Sequence, residues 1–187
     1  MINVVYDACV LFSASLRDLL LNIAAVGLVH PYWSDRIHEE WMRSLIRKRP
    51  HLLWERLERT RQEMNAEFPH SLVTGFEEMI PTLQLPDIDD RHVLALAIYK
   101  EAKYIVTFNL DDFPKTALQP YEIEALSPDE FVQRLIKNHQ SRVLQAVKKH
   151  RLSLTRPPKT VDEYLSTLEK QEIPKIVAFL RNHESEI

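Results

Sequence analysis

Glycine is nearly missing: the 187 residues contain two, Gly27 and Gly75. P-loops and dinucleotide fingerprints need several glycines so that the backbone can approach phosphate closely. Nucleotide cofactors held in those ways are excluded. Cys9 is the only cysteine, so no intramolecular disulfide can form. At the end of an apolar run it reads as a small buried hydrophobe. The eight histidines are scattered; none makes His-Glu-x-x-His, and no Cys/His group has zinc spacing. No apolar run is long enough to span a bilayer. The first residues lack the basic start and long apolar stretch of a signal peptide. These absences predict a cytoplasmic chain without membrane contact. Positive charge is not in excess either: 24 Lys and Arg against 27 Asp and Glu give a net charge of −3. Such a balance argues against bulk nucleic-acid binding. A cluster of catalytic carboxylates would itself lower the total, however, so local charge is the better guide.

What remains is an ordinary globular composition, 45% hydrophobic and 27% charged. The length predicts one domain with a small appendage. Short apolar strands are expected at residues 2–6, 28–33, 71–74, 104–107 and 122–126, with helices between them. Ser15 reads as an N-cap and Gly27 as the residue that closes the helix. Ser34 or Asp35 caps a helix whose buried stripe is Ile37, Trp41 and Leu45. Ser127 followed by Pro128 starts a long helix. Thr160 and Glu163 form a capping box, and Pro174 separates two amphipathic C-terminal helices. Alternation of strand and helix predicts an α/β fold, with a central parallel sheet of about five strands and helices on both faces. The expected division is a main domain over residues 1–150 and a helical extension over 151–187.

The most informative stretch is residues 85–113. Asp87, Asp89 and Asp90 stand just before a helix that is almost wholly apolar. Thr107, Asn109, Asp111 and Asp112 follow a β-branched strand. Each acid has an ordinary explanation, since Asp caps helices and fills turns. Asp7 ends the first strand, and Glu40 flanks the buried stripe of its helix. Ligands bind at the carboxyl ends of strands in open α/β sheets. Acids brought to that edge would suit a hard cation. From Arg43 to Arg61 the chain is basic. These cations are either a solvated helical face or a phosphate-holding rim, with Arg43, Arg47 and Lys48 the candidates for contacting nucleic acid.

Four pieces resemble a PIN domain: Val4 to Leu11 around Asp7, Ser34 to Trp41 around Glu40, Asp87 to Ala97, and Ile105 to Phe113. The resemblance spans residues 2–126. The tail is similar to an extension in one branch of bacterial VapC-like proteins. The resemblance implies a PIN-like fold and a ribonuclease requiring Mg²⁺ or Mn²⁺, leaving 5′-phosphate and 3′-hydroxyl ends. By matching positions it implies Asp7, Glu40, Asp90 and Asp112 as the acidic quartet and metal ligands, with Thr107 and Asn109 in support. Asp87 and Asp89 are additional to the minimal pattern; Asp90 is preferred for its spacing before Ala97. An RNA substrate, a cognate antitoxin of a toxin–antitoxin pair and a homodimer are further implications. Two alternatives stand beside this reading. One is a catalytically silent PIN-like module that binds RNA or protein. The other is a phosphotransferase of the haloacid dehalogenase type with Asp7 as nucleophile. Cys9 stands where that chemistry favours a second acid.

Overall fold

A computed structural model describes all residues, 1–187. Four strands, β1 (Ile2–Tyr6), β2 (Val29–Tyr32), β3 (Tyr104–Val106) and β4 (Glu124–Leu126), make one parallel sheet in the order β2-β1-β3-β4. The helices are α1 (Ala8–Leu11), α2 (Ala14–Ala25), α3 (Asp35–Lys48), α4 (Trp54–Glu67), α5 (Arg91–Tyr99), α6 (Lys115–Leu118), α7 (Pro128–Ser153), α8 (Val161–Glu169) and α9 (Pro174–Arg181). The strand cores are apolar on both faces: Val4, Val5, Tyr6, Ile105 and Val106 are fully buried. Such continuous runs are what a covered parallel sheet requires.

The chain runs outward from β1 to β2 on one side and from β3 to β4 on the other. The order therefore reverses between β1 and β3, where connecting segments diverge and leave a crevice at the carboxyl edge. Asp7 and Thr107 each follow one of these two neighbouring strands. Their backbones are joined across the edge by the Asp7 amide donating to Val106 O at 3.1 Å.

The sheet has four strands rather than about five. Residues 71–74 make only one bridge, between Trp33 and Leu72. Trp33 N donates to Ser71 O at 2.9 Å and Val73 N to Trp33 O at 3.0 Å. Pairing stops there because β2 has already ended and Ser34 caps α3, its side chain accepting from Ile37 N. On the other side Gly75, at φ +90°, turns the chain away. The cap of α2 also differs from expectation. Ser13, not Ser15, occupies the N-cap position, and its side chain caps no helix N–H. Its hydroxyl instead donates to Gln171 Oε1.

The other termini follow local chemistry. Gly27 lies past the end of α2 at φ +73°. Ser127 accepts from Glu130 N at 3.2 Å. Thr160 and Glu163 make both bonds of the capping box. α7 is kinked at His139. The C-terminal helices are part of the main core. Leu165, Leu168, Ile173 and Leu180 are fully buried within the single hydrophobic cluster that also contains the strands. A contact across this region was not apparent from pattern alone: buried Asp129 of α7 accepts from Lys175 N and Ile176 N, satisfying orphan donors at the start of α9.

Candidate active site

Asp7 is the best-determined acid. It is 4% exposed, and its carboxylate accepts from three donors. Ala8 N reaches Oδ1 at 2.6 Å, while the Thr107 hydroxyl reaches Oδ2 at 2.7 Å and the Cys9 thiol at 3.2 Å. The first of these bonds caps α1, a helical turn not anticipated from sequence. Burial pushes the Asp7 carboxyl above its ordinary range; the three donors oppose that shift, and the charge of Glu40 adds to it.

Cys9 is therefore more than a small hydrophobe. Burial, followed by the charge of Asp7, pushes its thiol up to about 12, so it stays protonated and can donate. Its sulfur also accepts from Phe108 N at 3.2 Å. Thr107 is fully buried and accepts from Asn109 N at 3.0 Å. Asn109 thus supports Thr107 through its backbone, and its residue lines the cleft described below.

Glu40 comes from α3, which is oriented by a buried polar chain. Trp41 Nε1 donates to His38 Nδ1 at 3.1 Å. His38 Nε2 and Trp33 Nε1 both reach Asn65 Oδ1, at 3.2 and 2.8 Å. With Nδ1 accepting, the proton of neutral His38 belongs on Nε2. Burial, the largest influence, lowers the His38 pKa to about 4, which keeps the ring neutral. The Glu40 carboxylate lies 3.0 Å from Arg36 Nε and 3.1 Å from Nε2 of buried His92. Burial acts to raise its pKa, but the His92 ring and Arg36 outweigh that and hold it below the usual range. Neither neighbour was singled out from the sequence. The i,i+4 spacing of Arg36 and Glu40 and the position of His92 just after Asp90 were the available signals.

Asp90 occupies the N-cap position of α5 without making a side-chain cap bond. Its carboxyl is pushed up to about 7, first by burial and then by the charges of Asp7, Asp112, Asp87 and Glu40. The two neighbouring aspartates have other employment: Asp87 accepts from Asp89 N at 2.8 Å, and Asp89 meets Arg36 at 3.4 Å.

Asp7, Glu40 and Asp90 line one cleft of about 810 Å³, together with Cys9, Asn109 and Lys48. Asp112 is not in that lining; it sits in the turn Leu110–Asp112 and reaches Asp90 through its field. Arg43 is exposed and paired with Glu39 at 2.9 Å. Neither Arg43 nor Arg47 lines the cleft.

No three His, Cys, Asp or Glu side chains are gathered tightly enough to chelate an ion between them. The donor set still fits a hard divalent cation. It is made of carboxylate oxygens, and two of them, Asp7 and Asp90, are held in surroundings that disfavour their charge. Mg²⁺ retains several waters and needs only one or two direct carboxylates.

Residues 3–111 match the family model described as "PIN domain", and residues 128–182 match "VapC50 C-terminal domain". An 83-residue stretch is 40% identical to a Mycobacterium tuberculosis protein described as "Putative ribonuclease VapC50", covering 42% of this chain and 48% of that protein. The match thus spans about half the length of that relative. No solved structure matches the chain.

Proposed function

The chain belongs to the PIN-domain family, and from that premise we propose that it is a metal-dependent endoribonuclease, the toxin of a type II toxin–antitoxin pair. The observation that carries this reading is the convergence of Asp7, Glu40 and Asp90 on one cleft, with Asp112 and Asp87 adding to the negative field at Asp90. In this reading Asp7, Glu40, Asp90 and Asp112 hold Mg²⁺ or Mn²⁺, supported by Thr107, Asn109 and Asp87. Such a cation, when bound, lowers the pKa of water and neutralises charge developing on a phosphodiester.

The protein's own part is positional. Three donors hold Asp7 in a single orientation, the role that neighbours of metal-binding carboxylates commonly serve. Arg36 and His92 brace Glu40. Lys48, on the same cleft, offers a cation for the RNA backbone. The resemblance to VapC-like proteins supports a cognate antitoxin and a homodimer as partners. The division into a nuclease domain over 1–150 and an extension over 151–187 belongs to the same proposal.

A second reading, a non-cleaving PIN-like module that binds RNA or protein, is favoured by one observation. Glu40 is already engaged by Arg36 and His92, and the acids are not drawn into a tight cluster. The test is cleavage of total and transfer RNA by purified protein with Mn²⁺, Mg²⁺ or EDTA, beside Asp7→Asn. Metal-dependent cutting that leaves 5′-phosphate ends and disappears in the variant supports the nuclease. A folded, antitoxin-free protein that cuts nothing under any condition points to the binding module.

A further inference from the structure

The cleft that holds the acids continues to the C-terminal extension. Its lining includes Lys170, Gln171 and Glu172, which connect α8 to α9, as well as Lys48 and Arg49 at the end of α3. This connection is held in place. Gln171 Nε2 donates to Thr167 O at 3.3 Å, Gln171 N donates to Leu168 O at 2.9 Å, and Gln171 Oε1 accepts from the Ser13 hydroxyl. Ile173, the next residue after Glu172, is fully buried. Ser13 itself lines the cleft. The side chain that could have capped α2 is thereby spent on joining the extension to the cleft wall.

Four cations line this cleft, Arg17, Lys48, Arg49 and Lys170, and Arg17 lies 3.5 Å from Asp18. Arg36, Arg43, Arg61, Arg134 and Arg181 each have a carboxylate partner. Lys48, Arg49 and Lys170 form no ion pair with the protein. Unpaired cations sharing a cleft with a carboxylate centre are suited to an anionic chain whose reacting phosphate lies at the acids and whose other phosphates lie beyond. At about 810 Å³ the cleft is towards the upper end of the usual ligand-site range, which leaves space for more than one phosphate group.

We propose that the connection formed by residues 170–172 is a wall of the RNA-binding cleft, and that Lys170, together with Lys48 and Arg49, binds a phosphate of the RNA away from the scissile bond. The extension is then a substrate-binding element as well as a packing element. This rests on the ribonuclease reading. Phosphate contacts of this kind position RNA and carry no base information, so the contribution of Lys170 is to affinity and register.

The test is binding of a fluorescein-labelled single-stranded RNA octamer to the full chain, in Ca²⁺ to suppress turnover, across a range of salt concentrations. Wild type, Lys170→Ala and Lys137→Ala are compared; Lys137 is exposed on α7 and outside the cleft lining. Lys170→Ala is expected to weaken binding about 3- to 10-fold at 0.1 M salt, and to make the log–log salt slope shallower by about 0.7. Lys137→Ala should do neither. Wild-type affinity and slope in Lys170→Ala, or an equal loss in Lys137→Ala, overturns the inference while leaving the ribonuclease reading in place. No binding by the wild type overturns both.

Discussion

At the scale of single residues, the site depends on how each carboxylate is held. Thr107→Val removes the 2.7 Å donor to Asp7 without changing side-chain shape much. Losses at such supporting positions run to about 10–100-fold in activity or metal affinity. The same drop is expected here, in cleavage rate or in Mn²⁺ affinity, with the circular dichroism spectrum unchanged. Asp90→Asn should abolish cleavage yet raise the thermal midpoint of the metal-free protein near pH 8. The direction follows from linkage. The Asp90 carboxyl is raised from 3.8 to about 7 in the fold, so its favourable protonated form is lost as pH climbs through that window. An Asp90→Asn midpoint below that of wild type at pH 8 would contradict the mutual repulsion described for the site. Pattern alone left each acid as a cap or turn residue; the choice of Asp7, Glu40, Asp90 and Asp112 among them came from the resemblance to PIN domains. Neither led to Cys9, Arg36 or His92, whose roles depend on contacts between segments distant in the chain or on side-chain direction.

At the scale of elements, α3 is the part whose placement matters most, since it carries Glu40. Its hydrophobic stripe of Ile37, Trp41 and Leu45 was legible from 3–4 spacing, and all three are buried. The chain Trp41–His38–Asn65–Trp33 was not, because it joins α3 to α4 and to the end of β2. His38→Ala leaves the Trp41 and Asn65 groups without that partner and opens a cavity; it should cost about 2–4 kcal/mol in urea unfolding. His38 also predicts a pH dependence. Its pKa falls from 6.5 to about 4 in the fold, so below 6.5 the unfolded chain takes up a proton that the fold refuses. Stability from this group is complete above pH 6.5 and declines as pH falls towards 4, by about 3 kcal/mol in all. Buried His150, beside Tyr164, is shifted in the same direction by its burial and adds to the effect. Unfolding in urea from pH 4 to 8 measures the slope, and His38→Phe should reduce it. The strand expected at residues 71–74 failed for an element-scale reason. A β-prone run is not a strand unless a neighbour offers it an edge long enough to pair with, and here only Trp33 does.

At the scale of the whole molecule, the alternation of strand and helix was enough to expect a parallel α/β sheet. The strand order β2-β1-β3-β4, which puts Asp7 beside Thr107, required the structure. The extension was expected as an appendage, but its apolar residues complete the common core. Leu168→Ala should therefore destabilise the entire protein by about 2–5 kcal/mol in a single transition. Deleting residues 151–187 should produce aggregation rather than a soluble nuclease domain. A soluble deletion product with an unchanged oligomeric state would make the extension a passive addition.

Asp7 and Asp90 are proposed to serve one metal site. The most direct measurement is calorimetric titration of Mn²⁺ into the antitoxin-free wild type, Asp7→Asn and Asp90→Asn at pH 7.5, with folding of each checked by circular dichroism. Saturable binding by the wild type and a loss of at least about 10-fold in affinity in each variant are expected. Wild-type affinity retained in both folded variants would contradict a shared metal site.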